Sequence, residues 1–162
     1  MPAPIPIWWD VAGDASTLTW NCGIVDADSY SAEKEFYVWN NKGGVSDVSD
    51  MTNVFITTKD ADGNDGGPIA GRTSAIVEVA IHDGTVFGAW KEIGGSDPGF
   101  IANVVNESGD TTTTVFGTAN DGNSNTEASK KNYARLKLRL HVLPSAPAGA
   151  LSWKTRVSYQ YT

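Results

Sequence analysis

Between Ala134 and Tyr161, apolar and polar residues alternate almost without interruption. Leu136, Leu138, Leu140 and Val142 interleave with Arg135, Lys137, Arg139 and His141. A connector containing Pro144, Pro147 and Gly149 follows, and the alternation resumes. Leu151, Trp153, Val157, Tyr159 and Tyr161 then interleave with Ser152, Lys154, Arg156, Ser158 and Gln160. A period of two puts successive side chains on opposite faces of a strand, so both segments read as β-strands with one buried face. The short connector predicts that they pair with each other antiparallel, and an apolar face of that kind needs a second layer to cover it.

Shorter strands are read upstream, some from alternation and others from β-branched runs or flanking turn signals. Strands are predicted at Ser16–Ile24, Glu33–Asn40, Val54–Thr58, Thr73–His82, Val86–Ile93, Phe100–Val105 and Thr111–Gly117. Glu33–Asn40 is apolar on both faces (Phe36 and Val38, then Tyr37 and Trp39), which predicts a central strand or one covered twice. Asn40-Asn41-Lys42-Gly43-Gly44 is rich in residues that tolerate positive φ. Asp83-Gly84 is a two-residue hairpin signal, and Ser108-Gly109-Asp110 predicts a second hairpin. Asp60–Gly71 and Ala119–Asn132 read as polar turn and loop regions. No amphipathic helix, internal repeat or interdomain linker is evident. The expected fold is all-β: one domain, residues 1–162, built as a two-sheet antiparallel sandwich, immunoglobulin-like or jelly-roll, of roughly nine or ten short strands.

The first nine residues stand apart. Prolines at positions 2, 4 and 6 hold the chain extended and keep it from helix. Ile5, Ile7, Trp8 and Trp9 therefore need cover, either from the domain's own sheet or from a neighbouring subunit.

Composition narrows the function. The 162 residues fit a single domain, and 17 Gly with 7 Pro suit short strands joined by turns. One cysteine, Cys22, excludes an internal disulfide and most sulfur-based metal sites, and predicts a structural thiol. No apolar run approaches the roughly 18 residues of a membrane span, and the start lacks the pattern of a signal peptide. The net charge of −7 opposes general nucleic-acid binding. Yet residues 129–162 hold seven bases and no acid. With the two last strands side by side, Arg135, Lys137, Arg139, Lys154 and Arg156 would form one positive patch. Its partners would be Glu33 and Glu35 within the domain, or Asp10, Asp14, Asp26 and Asp28 of a neighbouring copy.

Two stretches carry a resemblance. FYVWNNKGGVSDVSDMTNVFITTKDADG resembles a strand, Asn-Gly loop and following strand of bacterial immunoglobulin-like modules. LKLRLHVLPSAPAGALSWKTRVSYQYT resembles their final strands, and the combination is similar to small β-sandwich structural proteins of tailed bacteriophage virions. Gly94–Asn132 exceeds a minimal immunoglobulin-like domain and suits the extra strands of a jelly roll. The resemblance implies a non-enzymatic virion component, in the tail, baseplate or capsid decoration, acting through copies of itself and other virion proteins. Ile5, Ile7, Trp8, Trp9 and the five bases above are the expected subunit contacts.

Candidate chemistry is sparse. Asp60, Asp62 and Asn64 echo a calcium loop, but Asp65 and Gly71 occupy the positions that need Gly and an acid, so a turn is expected. His82 and His141 lack the spacing of zinc ligands. Gly94-Gly95-Ser96-Asp97-Pro98 is not a nucleophile elbow, because Pro98 stands at the second glycine. Asn106-Glu107-Ser108 matches a glycosylation sequon but reads as a turn beside Gly109. No catalytic group, metal or cofactor is expected. The alternative is a carbohydrate-binding module of a secreted or cell-surface protein, with Trp8, Trp9, Tyr37, Trp39 and Trp90 as a stacking platform; aromatics at strand periodicity are otherwise core.

Overall fold

The computed structural model describes every residue from Met1 to Thr162. Ten strands carry the fold: β1 (Pro6–Asp10), β2 (Ala15–Ser16), β3 (Ser29–Tyr30), β4 (Lys34–Asn40), β5 (Thr52–Asp60), β6 (Ala75–Ile81), β7 (Lys91–Ile93), β8 (Ala102–Asn103), β9 (Tyr133–Val142) and β10 (Trp153–Gln160). The only helical pieces are 3-10 turns at Pro98–Phe100 and Glu127–Asn132. All strand pairs are antiparallel, and they form a β-sandwich of two unequal sheets. The large sheet runs β2-β1-β4-β9-β6-β7, with β3 also against β9; the small one runs β10-β5-β8.

β9 is central, with β3 and β4 paired along one side and β6 along the other. Leu136 and Leu138 are sealed in the interior and Leu140 nearly so. They pack with Phe36, Val38, Val77 and Val79 of their own sheet against Val54, Ile56 and Ala102 of the other. β3 and β4 pair with successive parts of β9 on the same side, and the Ser31 hydroxyl accepts the Leu140 N–H across the interruption.

Two expected pairings and one expected strand are overturned. β9 and β10 do not form a hairpin: the connector crosses from one sheet to the other, and β10 pairs with β5. Their two apolar faces approach one core from opposite sides, which alternation alone cannot distinguish from lying side by side. Phe100–Val105 and Thr111–Gly117 do not pair either. The first bonds β5 through Ala102, Asn103 and Val104, while Thr113 and Val115 bond Val54 and Met51. Ser16–Ile24 is a strand only at its first residue. The Asp83-Gly84 reversal is present but looser than a two-residue turn: Asp83 Oδ1 accepts the Thr85 and Val86 amides, and Phe87 forms a single bridge to His82 before β7 begins.

The N-terminal segment lies on its own domain. β1 pairs with β4 from Pro6↔Asn40 to Asp10↔Phe36. Its approach is tied by the Asn40 side chain, whose Oδ1 accepts the Ile5 N–H at 3.0 Å, and by the Asn41 N–H donated to Ile5 O. Asn41 takes φ 60°, a conformation asparagine tolerates. Its buried amide donates to Ser46 and Gly117 carbonyls, joining two distant loops.

Candidate functional site

The small sheet has only three strands and does not span the six ranks of the large one. β10 is its edge, with no strand beyond it. The uncovered ground is occupied by the β2–β3 loop, residues 17–28. It is pinned at one end by the Thr17 N–H to Trp8 O (3.0 Å) and at the other by the Asp28 N–H to Val142 O (2.9 Å). Between these pins Trp20 and Cys22 turn inward onto the core, while Leu18 and Ile24 point into solvent, 99% and 100% exposed.

A cleft of about 620 Å³ lies between this loop and the start of β10. Phe36, Leu138 and Trp8 contribute from the large sheet, Thr17–Gly23 from the loop, and Leu151–Thr155 from the other side. Its rings meet edge to face: Trp20–Trp153 at 5.4 Å, Trp8–Phe36 at 5.7 Å and Trp20–Phe36 at 6.3 Å between centroids. That is the preferred geometry for aromatic pairs, so the lining is ordered before anything enters. Burial raises the Cys22 thiol pKa, leaving it a weakly nucleophilic packing group.

The expected subunit-contact residues are scattered. Trp8 faces inward, packed against the core beside Phe36. Ile5 is half exposed, and Ile7 and Trp9 lie on the opposite face of β1, Ile7 opposite Trp39 and Trp9 opposite Tyr37. The single positive patch does not exist, because β9 and β10 belong to different sheets. Arg135, Lys137 and Arg139 run along the outer face of the large sheet, and each meets an acid of a neighbouring strand or its approach. Arg135–Glu35 and Arg139–Glu78 close to 2.5 Å, and Lys137–Glu33 to 3.4 Å. Glu33 and Glu35 are the partners expected within the domain; Glu78 was not among them. Aromatic rings fill the gaps: Arg139 sits 4.2 Å from the Tyr30 ring centre and 4.3 Å from Trp90, so Trp90 belongs to this ladder and not to a platform with Trp9. Lys154 and Arg156 stay exposed on the small sheet, with Lys154 opposite Lys59.

A buried acid–base pair, His82 Nδ1 to Glu107 Oε1 at 2.8 Å, has no counterpart in the sequence reading. Burial pushes the Glu107 carboxyl pKa upward, outweighing the opposing pull of His82 and Arg135. Neither residue lines a cleft described here, and the Glu107 N–H is donated to Lys130 and Tyr133 carbonyls, so the pair fastens one loop to the sheet. Asn106 is fully buried, its amide donated to Thr114 O, consistent with a turn at this sequon. The Asp60 carboxylate accepts the Asp62 and Asn64 amides, the turn expected there, and those bonds hold its pKa low. No cluster of three or more His, Cys, Asp or Glu is placed to hold a metal ion. No helix is long and apolar enough to cross a membrane.

No family model matches the chain, and no curated protein matches it.

Proposed function

We propose that this protein is a non-enzymatic structural subunit of a bacteriophage virion, in the tail or baseplate rather than in a capsid decoration, and that the open end of the sandwich is its joint. The observation that supports this reading is the conjunction of an unpaired strand edge on β10, an aromatic cleft beside it, and the loop carrying Leu18 and Ile24 into solvent. An edge strand left unpaired is a template for another chain, and natural proteins usually blunt such edges. An extended segment adding to β10 would complete its backbone bonds while alternate side chains enter the cleft.

The partner that fits is a second copy. Ile24 stands on a loop with the exposed acids Asp26 and Asp28, whereas the cleft is bordered by Lys154, with Arg156 following on the same face. A loop offered by one copy and received by the cleft of the next makes a heterologous contact, the kind that propagates into rings or filaments. Opposite charges at its rim favour encounter and fix the register.

The test is association of the full chain, measured by analytical ultracentrifugation over a concentration series. Wild type is expected to self-associate, and Leu18→Asp with Ile24→Asp to stay monomeric with an unchanged circular dichroism spectrum. Equal association of both proteins would overturn the joint. Genes for portal, tail-tube or baseplate proteins beside this one are expected; a neighbourhood of secreted polysaccharide-degrading enzymes would contradict the virion assignment.

A further inference from the structure

The outer face of the large sheet carries a second concavity that the assembly reading does not use. It measures about 380 Å³ and lies between Trp9, Tyr37 and Trp39 on one side and Asn123, Ser124 and Asn125 on the other. That volume falls within the roughly 300–1,000 Å³ of small-molecule sites.

The lining is fixed in advance. The Trp9 indole N–H is donated to Asp14 Oδ1 at 3.1 Å, which sets the ring and brings a carboxylate to the rim. The Lys42 ammonium sits 4.2 Å from the Trp9 ring centre and 4.9 Å from that of Trp39 and is donated to the Gly122 carbonyl. It is thus held by ring faces and a carbonyl rather than by a carboxylate. The opposite wall is equally constrained: the Tyr133 hydroxyl is donated to Ser124 O, and Asn123 Oδ1 accepts the Asn125 N–H. Trp39 is completely buried and forms the floor beside Trp9 and Tyr37.

The chemistry selects the ligand class. An apolar molecule would strip water from the amides, Asp14 and Lys42 and return no hydrogen bonds. A phosphate or nucleic acid would meet Asp14 and a protein of net charge −7. A sugar ring satisfies both halves of the site: its C–H face stacks on an aromatic ring, and its hydroxyls both donate and accept. We propose that this cleft binds a saccharide, one ring stacked on Trp9 and Tyr37, with hydroxyls bonded to Asp14, Lys42 and the amides of Asn123 and Asn125. The rigid lining spares the ordering cost that binding otherwise carries.

The experiment is an NMR titration of the isotope-labelled full chain with soluble oligosaccharides of hexoses, N-acetylhexosamines and uronic acids, reading the tryptophan indole and asparagine amide signals. At least one class is expected to shift Trp9, Trp39 and Asn125 with a Kd of about 1 mM or tighter, the weak end of specific binding. Asn125→Ala should weaken that sugar several-fold and Trp9→Ala about tenfold or more, whereas Trp20→Ala, in the other cleft, should leave it unchanged. Trp9→Phe retains a ring and should recover part of the loss, separating stacking from folding. The absence of a response to every sugar class, binding by Asn125→Ala and Trp9→Ala as tight as by wild type, or shifts confined to Trp20 and Trp153 would each overturn the site.

Discussion

Replacing Asn40 by Ala removes the side chain that ties the N-terminal segment to the sandwich. Asn40 is fully buried at the end of β4. Its Oδ1 accepts the Ile5 N–H at 3.0 Å, and its Nδ2 is donated to Ser49 O at 3.0 Å and Val115 O at 3.2 Å. Each such bond contributes about 0.5–1.5 kcal/mol net, and a buried partner left unpaired costs more. Val115 O keeps a second donor, the Met51 N–H, so its loss is cushioned. A destabilisation of about 2–4 kcal/mol is expected in urea unfolding, with faster hydrogen exchange at Ile5 and Asn41. A chain lacking residues 1–5 should fold, and on that background Asn40→Ala should cost about 1 kcal/mol less, because the Ile5 bond is already gone. A loss below about 1 kcal/mol in the full chain, or no coupling in the cycle, would refute the role assigned to Asn40.

Trp153→Ala should cost about 1.5–3 kcal/mol, less than a fully buried aromatic, because the ring lines a cleft; a loss of about 4–5 kcal/mol, within the range for a buried aromatic, would show it sealed in the core. Lys137→Glu with Arg139→Glu should destabilise the monomer by about 2–4 kcal/mol, since Glu78 would be left buried against a like charge; unchanged unfolding would make the outer ladder ornamental. For Glu107 the raised pKa fixes the sign: an acid held above its ordinary value stabilises below that value and loses the contribution as pH rises through the folded pKa. Wild type should therefore lose stability relative to Glu107→Gln as pH climbs from its ordinary value of 4.5, and a pH-independent difference between the two would contradict this. Asp121 has the opposite sign: bonds from the Asn123 N–H, Ser129 and Thr126 lower its pKa, so the 121–129 loop should loosen as pH falls through that lowered value. Loop order that stays unchanged through an acid titration until the whole domain unfolds would argue against it.

The strands were legible wherever alternation was long. β4, β9 and β10 lie where the period of two places them, the runs of β-branched residues mark β5 and β6, and Tyr37 and Trp39 mark β4 as central, between β1 and β9. Alternation reports which side chains share a face, not which strand lies alongside, and for that reason the β9–β10 pairing and the positive patch built on it failed together. Thr17–Gly23 failed differently. Leu18 and Trp20 alternate as a strand would, yet no neighbour offers the loop a ladder, and only Trp20 and Cys22 are drawn onto the core. The His82–Glu107 pair was hidden because a Glu within a polar turn carries no local sign of burial. Trp9, Tyr37 and Trp39 were visible as a group, but the Asn123–Asn125 wall opposite them lies more than eighty residues away, in a stretch that reads only as a polar loop.

Backbone hydrogen exchange along β10, compared between the dissociated chain and its assembled form, bears most directly on the proposed joint. Those amides of Trp153–Gln160 that do not bond β5, together with Thr17–Gly23, are expected to exchange quickly in the monomer and to become protected on assembly, while the centre of β9 stays protected in both. Assembly that leaves β10 and the 17–23 loop exchanging as fast as in the monomer would contradict strand addition at this edge.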